Sequence, residues 1–460
     1  MSTKQGIGRR RAGLGGIGSR LEEVTLNSVR GVLSDEMIRV ACETTGQKHR
    51  NRIITPVVTV LHMVLAAIWP EDSFAASWQL LWGWYCSRYS GCIRRMPASG
   101  SVSKARKRLR PGVWEAIFRM VSEKGQKVAD EVSRWRGLRV VLVDGTTVSM
   151  AGDKALFSVF GRAGGKYGRY KYPLARLVAM SLAETMMPIG YRMGSYFTSE
   201  TALFVKLLQE LKPGDLIVAD RRYAGANLYA RYAMSGVHYL TRMHQRLKVH
   251  GLKRLVTYGR NDFVAVVPVA RQYRRNHPDL PCAVTVRFIR VKVNVRGKKT
   301  WLWLATSLVD HQLYPADELA DLYAKRWRTE TLFREFKINI GADVLRSRTV
   351  QGIAGEVAAR LVAINVVRII MLEAAGKHHV HPLRLSFTHA LRTILAFAPA
   401  LASEPMGKLK QVYSAMLCQI AQNVVSVRPL RTEPRACRRE TKHYPTLRTT
   451  RSFWRLHHVA

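Results

Sequence analysis

The sequence predicts a mixed α/β protein with three parts. A helical N-terminal region precedes an α/β core interrupted by a β-rich insertion, and a mostly helical, basic C-terminal region follows. Three observations carry this. Apolar residues recur at helical spacing through residues 31 to 133, as in VVTVLHMVLAAIW and SWQLLWGWY. Two short apolar runs, LRVVLVDG and DLIVAD, each end in an aspartate and read as buried strands. Residues 241 to 310 alternate apolar with polar or basic side chains, the period of two that a half-buried strand requires.

Residues 1–30 hold GIGRRRAGLGGIGSR, a basic arm able to follow phosphates. Residues 31–133 read as a helical DNA-binding domain. Its segment SVSKARKRLRPGVWEAIFRMV opens on serine caps and sets Lys104, Arg106, Lys107, Arg108 and Arg110 before an apolar stripe. Arg106 and Arg108 are the candidate DNA contacts there, although such cations also suit a solvated helix face.

Residues 134–375 form the expected core. The first strand ends in Asp144, and two further strand-like segments follow through PIGYRMGSYF. SETALFVKLLQEL reads as a helix capped by Ser199 or Thr201, with Gly214 just past its end. The strand ending in Asp220 comes next, then the helical AGANLYARYAM. Three strands, helix, strand, helix is a mixed sheet covered by helices. Sites in such sheets form at the carboxyl ends of strands. If the first and fourth strands are neighbours, Asp144 and Asp220 lie side by side and repel unless a divalent cation neutralises them. An Asp-Gly pair can also simply cap a turn.

The insertion, 241–310, carries Arg287, Arg290, Lys292 and Arg296 on strands whose cations suit nucleic-acid contact, a turn at 296–299, and then Trp301 and Trp303. Alternation points both tryptophans the same way. At least one belongs to the core, and the other suits stacking on an unpaired base.

The stretch YAKRWRTETLFREFK places Tyr323, Arg326, Glu330 and Lys337 at steps of three, four and seven. At about 100° per residue they share one half of a single helix. Leu322, Trp327, Leu332, Phe333 and Phe336 suit its buried face. One carboxylate flanked by cations can grip a metal while the cations grip a phosphate backbone. The plainer alternative pairs Glu330 with Arg326 or Arg334 on a solvated surface. A loop with Arg346 and Arg348 leads into GEVAARLVAINVVRIIMLEAA, apolar almost all round and therefore buried. Residues 376–460 form a C-terminal helical region and a basic tail. His378, His379 and His381 lack a paired carboxylate or cysteine, which favours a polar loop over a metal site.

Seventy-four Lys and Arg face thirty-two Asp and Glu, a net charge of +42, so a polyanion is the expected partner. Six scattered cysteines form no C-x-x-C pair, which excludes an obvious zinc motif and suggests a reducing compartment. The N-terminus has no apolar run of a secretory signal. The apolar stretches at 56–69 and 361–375 are too short or carry Arg368, so no membrane partner is expected.

With these residues in place, the chain resembles a bacterial insertion-sequence transposase of the IS-four family, in the DDE superfamily. Tyr323, Arg326, Glu330 and Lys337 match the family signature Y-x2-R-x3-E-x6-K. DGTT at 144–147 is similar to the first-aspartate strand end, and DRRY at 220–223 to the second, often D-R-G-[YF]; here Arg222 replaces the glycine. The resemblance runs from about residue 50 to the end. It implies a ribonuclease H-like catalytic core with the insertion between the second Asp and the Glu. It implies that Asp144, Asp220 and Glu330 are catalytic and hold two Mg²⁺ ions, with Mn²⁺ able to substitute. It assigns Tyr323, Arg326 and Lys337 to the DNA backbone and Trp301 or Trp303 to a flipped base. The implied partners are double-stranded DNA, as terminal inverted repeats and target, and a second copy of the chain in a homodimer on DNA. The implied activity is cut-and-paste transposition in the bacterial cytoplasm, at the nucleoid. Two other readings fit the residues: a domesticated DNA-binding protein without catalysis, and a ribonuclease H-like nuclease that cuts without joining.

Overall fold

A computed structural model of the chain describes residues 32–48, 53–70, 73–88, 95–130 and most of 132–425, with short breaks at 133, 166–167, 170, 245–246, 248, 296–297 and 405. The basic arm, the basic tail and the turn residues Arg296 and Gly297 lie outside the described residues.

Helices α1 (Asp35–Thr44), α2 (Pro56–Ile68), α3 (Phe74–Arg88), α4 (Ser99–Arg108) and α5 (Pro111–Ala129) open the chain. Their starts follow local chemistry. Ser34 accepts from Met37 N–H and Thr55 from Val58 N–H, while Pro56 and Pro111 occupy first-turn positions that need no donor. Helix α2 is buried almost all round, so it is the centre of this bundle rather than its surface.

The sheet then begins. Strand β1 (Leu138–Met150) is followed by α6 (Lys154–Phe160), β2 (Leu174–Leu182), β3 (Pro188–Ser195), α7 (Glu200–Val205), β4 (Asp215–Ala219), α8 (Ala226–Met234) and β5 (His238–Arg242). The insertion adds β6 (Lys253–Gly259), β7 (Asp262–Pro268), α9 (Arg271–Asn276), β8 (Ala283–Val295) and β9 (Lys298–Thr306). The order across the sheet is β3-β2-β1-β4-β5-β9-β8-β7-β6. β1 runs antiparallel to β2 and parallel to β4, and β4 runs parallel to β5. The insertion strands continue this same sheet, because β9 pairs antiparallel with β5.

Helices α10 (Ala316–Ala324), α11 (Arg328–Arg334), α12 (Val350–Lys377), α13 (Phe387–Ser403) and α14 (Met406–Gln422) complete the chain. Helix α12 is buried along nearly its whole length and packs against α5, α2, α13 and α14. One apolar cluster therefore runs from Val32 to Ile420. A second cluster fills the other face of the sheet, with Val140 and Leu142 of β1, Leu216 and Val218 of β4, and Leu319, Leu322 and Tyr323 of α10. Among the described residues no helix is long and apolar enough to cross a membrane.

Several expectations need correction. The helix read through SETALFVKLLQEL breaks after Val205 and resumes as a 3-10 turn at Leu208–Glu210. Arg287 is not a DNA-facing cation. It is fully buried, paired to Asp262, and donates to the carbonyls of Leu308 and Tyr314. Asp144 does not end its strand, since β1 runs on to Met150; it is the parallel neighbour β4 that ends, at Ala219.

At the other end of that pairing, Arg139 donates to both oxygens of Asp215 at 2.7 and 2.6 Å, with both side chains buried. Asp215→Asn leaves a buried guanidinium without its counter-charge and is expected to cost about 3 kcal/mol. Urea unfolding followed by circular dichroism would show it as a lower midpoint. An unchanged midpoint would mean that this pair does not hold the strands.

Candidate active site

The site follows from strand register. Val143 is opposite Ala219 in the parallel pair, so Asp144 and Asp220 stand next to each other one step further on. Side chains alternate, and Val140, Leu142, Leu216 and Val218 all enter the cluster beneath α10. Asp144 and Asp220 have the same parity and therefore point to that face.

Both carboxylates are tied to their own backbone. Asp144 Oδ1 accepts from Gly145 N–H at 2.8 Å, and Asp220 Oδ1 accepts from Arg222 N–H at 2.8 Å, capping a 3-10 turn over Arg221–Tyr223. Asp144 Oδ2 accepts from the Thr329 hydroxyl at 3.2 Å and lies 4.0 Å from Arg326 Nη1. Burial pushes the Asp144 carboxyl above its ordinary value and the neighbouring Asp220 adds to the rise; Gly145 N–H, Arg326 and Thr329 offset it only in part.

Gly145 caps no turn, because the strand passes straight through it. A Cβ there would lie 2.5 Å from the Glu200 carboxyl carbon, so the glycine admits that carboxylate on the opposite face of β1 from Asp144. Beside it the Tyr223 hydroxyl is buried and unpartnered, and burial and then the charges of Glu200, Asp144 and Asp220 push it well up.

The stretch 316–339 is helical but not one α-helix. A 3-10 turn at Lys325–Trp327 follows α10, and a π turn at Glu335–Asn339 follows α11. Three ion pairs hold it in place. Lys325 and Arg328 both reach Glu184, at 2.6 and 2.9 Å, and Arg368 holds the buried Glu335. Burial alone would raise the Glu184 carboxyl, yet Lys325 and Arg328 hold it below its ordinary value.

A 3-10 turn advances about 20° more per residue than an α-helix, so the expected phase is lost. Thr329, not Glu330, faces Asp144. Tyr323 is buried, its hydroxyl pushed up by burial and influenced by both Arg326 and Asp220, and Arg326 lies over the Tyr323 and Trp327 rings. Glu330 is exposed and Lys337 half-buried. Neither has an ion pair among the described residues, so the surface pairing of Glu330 with Arg326 or Arg334 is not formed. Trp327, expected on the buried face, is exposed.

The structure thus gathers Asp144, Asp220, Tyr323 and Arg326 and leaves Glu330 and Lys337 outside that contact set. Among the described residues no three His, Cys, Asp or Glu side chains converge to hold a metal, His378, His379 and His381 included. The adjacent Asp144–Asp220 pair nevertheless fits a divalent cation: its oxygens are hard donors, they repel each other, and burial together with that repulsion holds the Asp144 carboxyl up.

The other candidates separate. Arg106 is a correction: its guanidinium sits 3.5 Å from the Phe74 ring centroid and donates to Ser347 Oγ at 2.9 Å, so it is spent inside the protein. Arg108 is exposed on the last turn of α4. Trp303 packs edge-on to Phe263, whereas Trp301 is 48% exposed with Arg290 and Lys292 over its ring. Thr329, Glu200 and Tyr223 escaped the sequence reading. Glu200 gives no signal beyond an acid in a helix first turn, and Thr329 only its place beside Glu330.

Comparison with known proteins agrees on one class, the DNA transposases. The family model described as Transposase DDE domain matches residues 135–366, half of the chain, and the chain belongs to that family. It is also similar to the transposase InsG for insertion sequence element IS4 of Escherichia coli (strain K12), with 24% identity over 358 residues, 77% of this chain and 79% of that one. Among solved structures it is similar to the piggyBac transposase in a synaptic complex with hairpin DNA, at 11% identity and a TM-score of 0.44, covering 85% of each chain.

Asp144 carries a pH signature. Its folded-state pKa is raised, so the ionised form costs stability above that pKa and the cost fades as pH falls through it. Asp144→Asn is expected to stabilise the protein by about 1 kcal/mol at neutral pH without divalent cation. The gain should shrink toward the ordinary Asp value of about 4. Thermal melts across pH check this, and a lower melting temperature for the variant at neutral pH would overturn it.

Proposed function

We propose that this transposase cuts the ends of its insertion sequence to free a 3′-OH and then joins that end to target DNA, with Asp144, Asp220 and Glu330 as its catalytic carboxylates. The observation that carries the reading is the Asp144–Asp220 pair, side by side where β4 ends, beneath a helical segment bearing Tyr323, Arg326 and Glu330. Three antiparallel strands followed by two parallel ones, with the acids on the central pair, support a ribonuclease H-like core.

Asp144 and Asp220, joined by Glu330 from the adjoining turn, would hold the divalent ions, Mg²⁺ by preference. Bound there, such ions activate water or a 3′-OH and stabilise the leaving oxygen of an in-line displacement at phosphorus. The remaining roles belong to this chain's own side chains. Arg326, held against Trp327 and near Asp144, is placed to grip the phosphodiester beside the reacting one. Tyr323 fixes Arg326 from beneath, and Lys337 extends the basic surface along the strand. Arg108 contributes to binding the end. Trp301, exposed under two cations, offers a stacking face for an unpaired base, while Trp303 belongs to the fold. Two ends must be brought together, which makes a homodimer on DNA the expected working form.

A duplex carrying the terminal inverted repeat that flanks the gene, incubated with protein and Mg²⁺, tests this. End-specific nicks with a free 3′-OH, and joined products when target DNA is added, are expected. Cuts without joining would favour a nuclease, and specific binding without cuts a domesticated binder. Glu330→Gln should keep binding within about threefold and lose cleavage by roughly 100-fold or more. Equal loss of both would remove Glu330 from the chemistry.

Trp301→Ala should weaken binding to DNA with an unpaired base near the end by about 1–3 kcal/mol and leave fully paired duplex binding unchanged. Trp303→Ala should lower the melting temperature instead. Equal effects of Trp301→Ala on both DNAs would count against stacking.

A further inference from the structure

The departure at position 222, where Arg stands in the DRRY motif, has a structural consequence. Arg222 is bonded to Asp220 and, through Glu200, reaches the strand residue that follows Asp144. Its backbone N–H is held by Asp220 Oδ1 at 2.8 Å, and its Nη1 donates to Glu200 at 2.7 Å, the carboxylate packed on Gly145 beside Asp144. Its carbonyl accepts from the Thr201 hydroxyl at 3.2 Å, so the turn is held from the start of α7 as well.

Charge and exposure decide what this arrangement can do. Glu200 is only 12% exposed and is shared by two guanidiniums, Arg222 and Arg176, the latter at 3.2 Å. Two guanidiniums share this one carboxylate, and the charge of Asp220 acts on Arg222 as well. Arg176 is 19% exposed and also donates to the Tyr196 carbonyl at 2.9 Å. Arg222 is 60% exposed, so its guanidinium meets solvent two residues past Asp220, on the Glu200 side of the strand. A guanidinium has five N–H donors, and Glu200 takes one, which leaves a fork suited to a phosphate.

We propose that Arg222 binds a phosphodiester of the DNA strand entering the Asp144–Asp220 site, and that Glu200 is the positioning residue that aims its guanidinium. This rests on the transposase reading, which supplies the DNA. It adds a phosphate contact on the side of the site opposite α10 and α11, so the strand is gripped from both sides of the aspartate pair.

The test is a salt series of binding constants for the full chain on a duplex carrying its gene's terminal repeat, in EDTA so that no cutting intervenes. Each phosphate contact contributes about 0.9 to the slope of log K against log salt. Arg222→Gln is expected to reduce the slope by about that amount, and Arg222→Lys to keep most of it. Glu200→Asp retains the charge but shortens the support, so its slope should fall toward that of Arg222→Gln. Added to Arg222→Gln, it should cause no further loss. Melting temperatures show whether each variant is folded. An unchanged slope in folded Arg222→Gln overturns the phosphate contact. A wild-type slope in Glu200→Asp overturns the positioning role. Cleavage by the wild type with Mg²⁺ is measured in parallel: its failure would strike the transposase reading, while the slopes still judge Arg222.

Discussion

The parallel pairing of β1 with β4 is the constraint on which the site depends. Arg139 is opposite Asp215, and five residues on along both strands Asp144 is adjacent to Asp220. The buried ion pair and the acidic pair therefore belong to one register, on opposite faces of the same two strands. A slip of one residue would break the bidentate contact and turn Val141 and Val143 out of their core. The salt bridge stabilises little against an apolar isostere, but it makes the wrong register expensive. The acidic pair, which repels itself, is imposed by that cost rather than by any attraction of its own.

The helical segment over the pair is determined just as indirectly. Glu184 holds Lys325 and Arg328 at one end, and Arg368 of α12 holds Glu335 at the other. Between these two anchors the segment departs from α-helical winding. The chain overwinds into a 3-10 turn at Lys325–Trp327 and underwinds into a π turn at Glu335–Asn339. Such irregular turns are poorer in hydrogen-bond geometry and are frequent at functional sites. Here their result is specific: the Thr329 hydroxyl and the Arg326 guanidinium are what Asp144 meets.

This marks where sequence reading succeeds and where it stops. Periodicity located the N-terminal helices, the two aspartate strands and the alternating strands of the insertion, because burial on one face writes itself into residue order. The neighbourhood of Asp144 and Asp220 hung on whether the first and fourth strands are adjacent, which the parallel pairing of β1 with β4 supplies. The phase of the 323–337 stretch did not, since it is set by Glu184 and Arg368, far away in sequence. Nor does residue type say which cation faces outward. Arg106 and Arg287 look like DNA contacts in the chain and are both absorbed, one by an aromatic ring and a serine, the other by Asp262 and carbonyl oxygens. Arg222 is the reverse case, a local oddity in a motif whose meaning lies in Glu200, twenty-two residues away.

The same partition explains the field around the site. Arg139, Arg287, Arg360 and Arg368 are buried, each against one acid: Asp215, Asp262, Glu356 and Glu335. Each pair is neutral, so the interior consumes acidic residues without reducing the net charge of +42, which is carried by the rest of the chain. Asp144 and Asp220 are different. The nearest cation to Asp144 stands at 4.0 Å, and Asp220 has no ion pair among the described residues. The repulsion between these adjacent carboxylates, with so little cationic compensation beside them, is what a bound divalent cation would relieve.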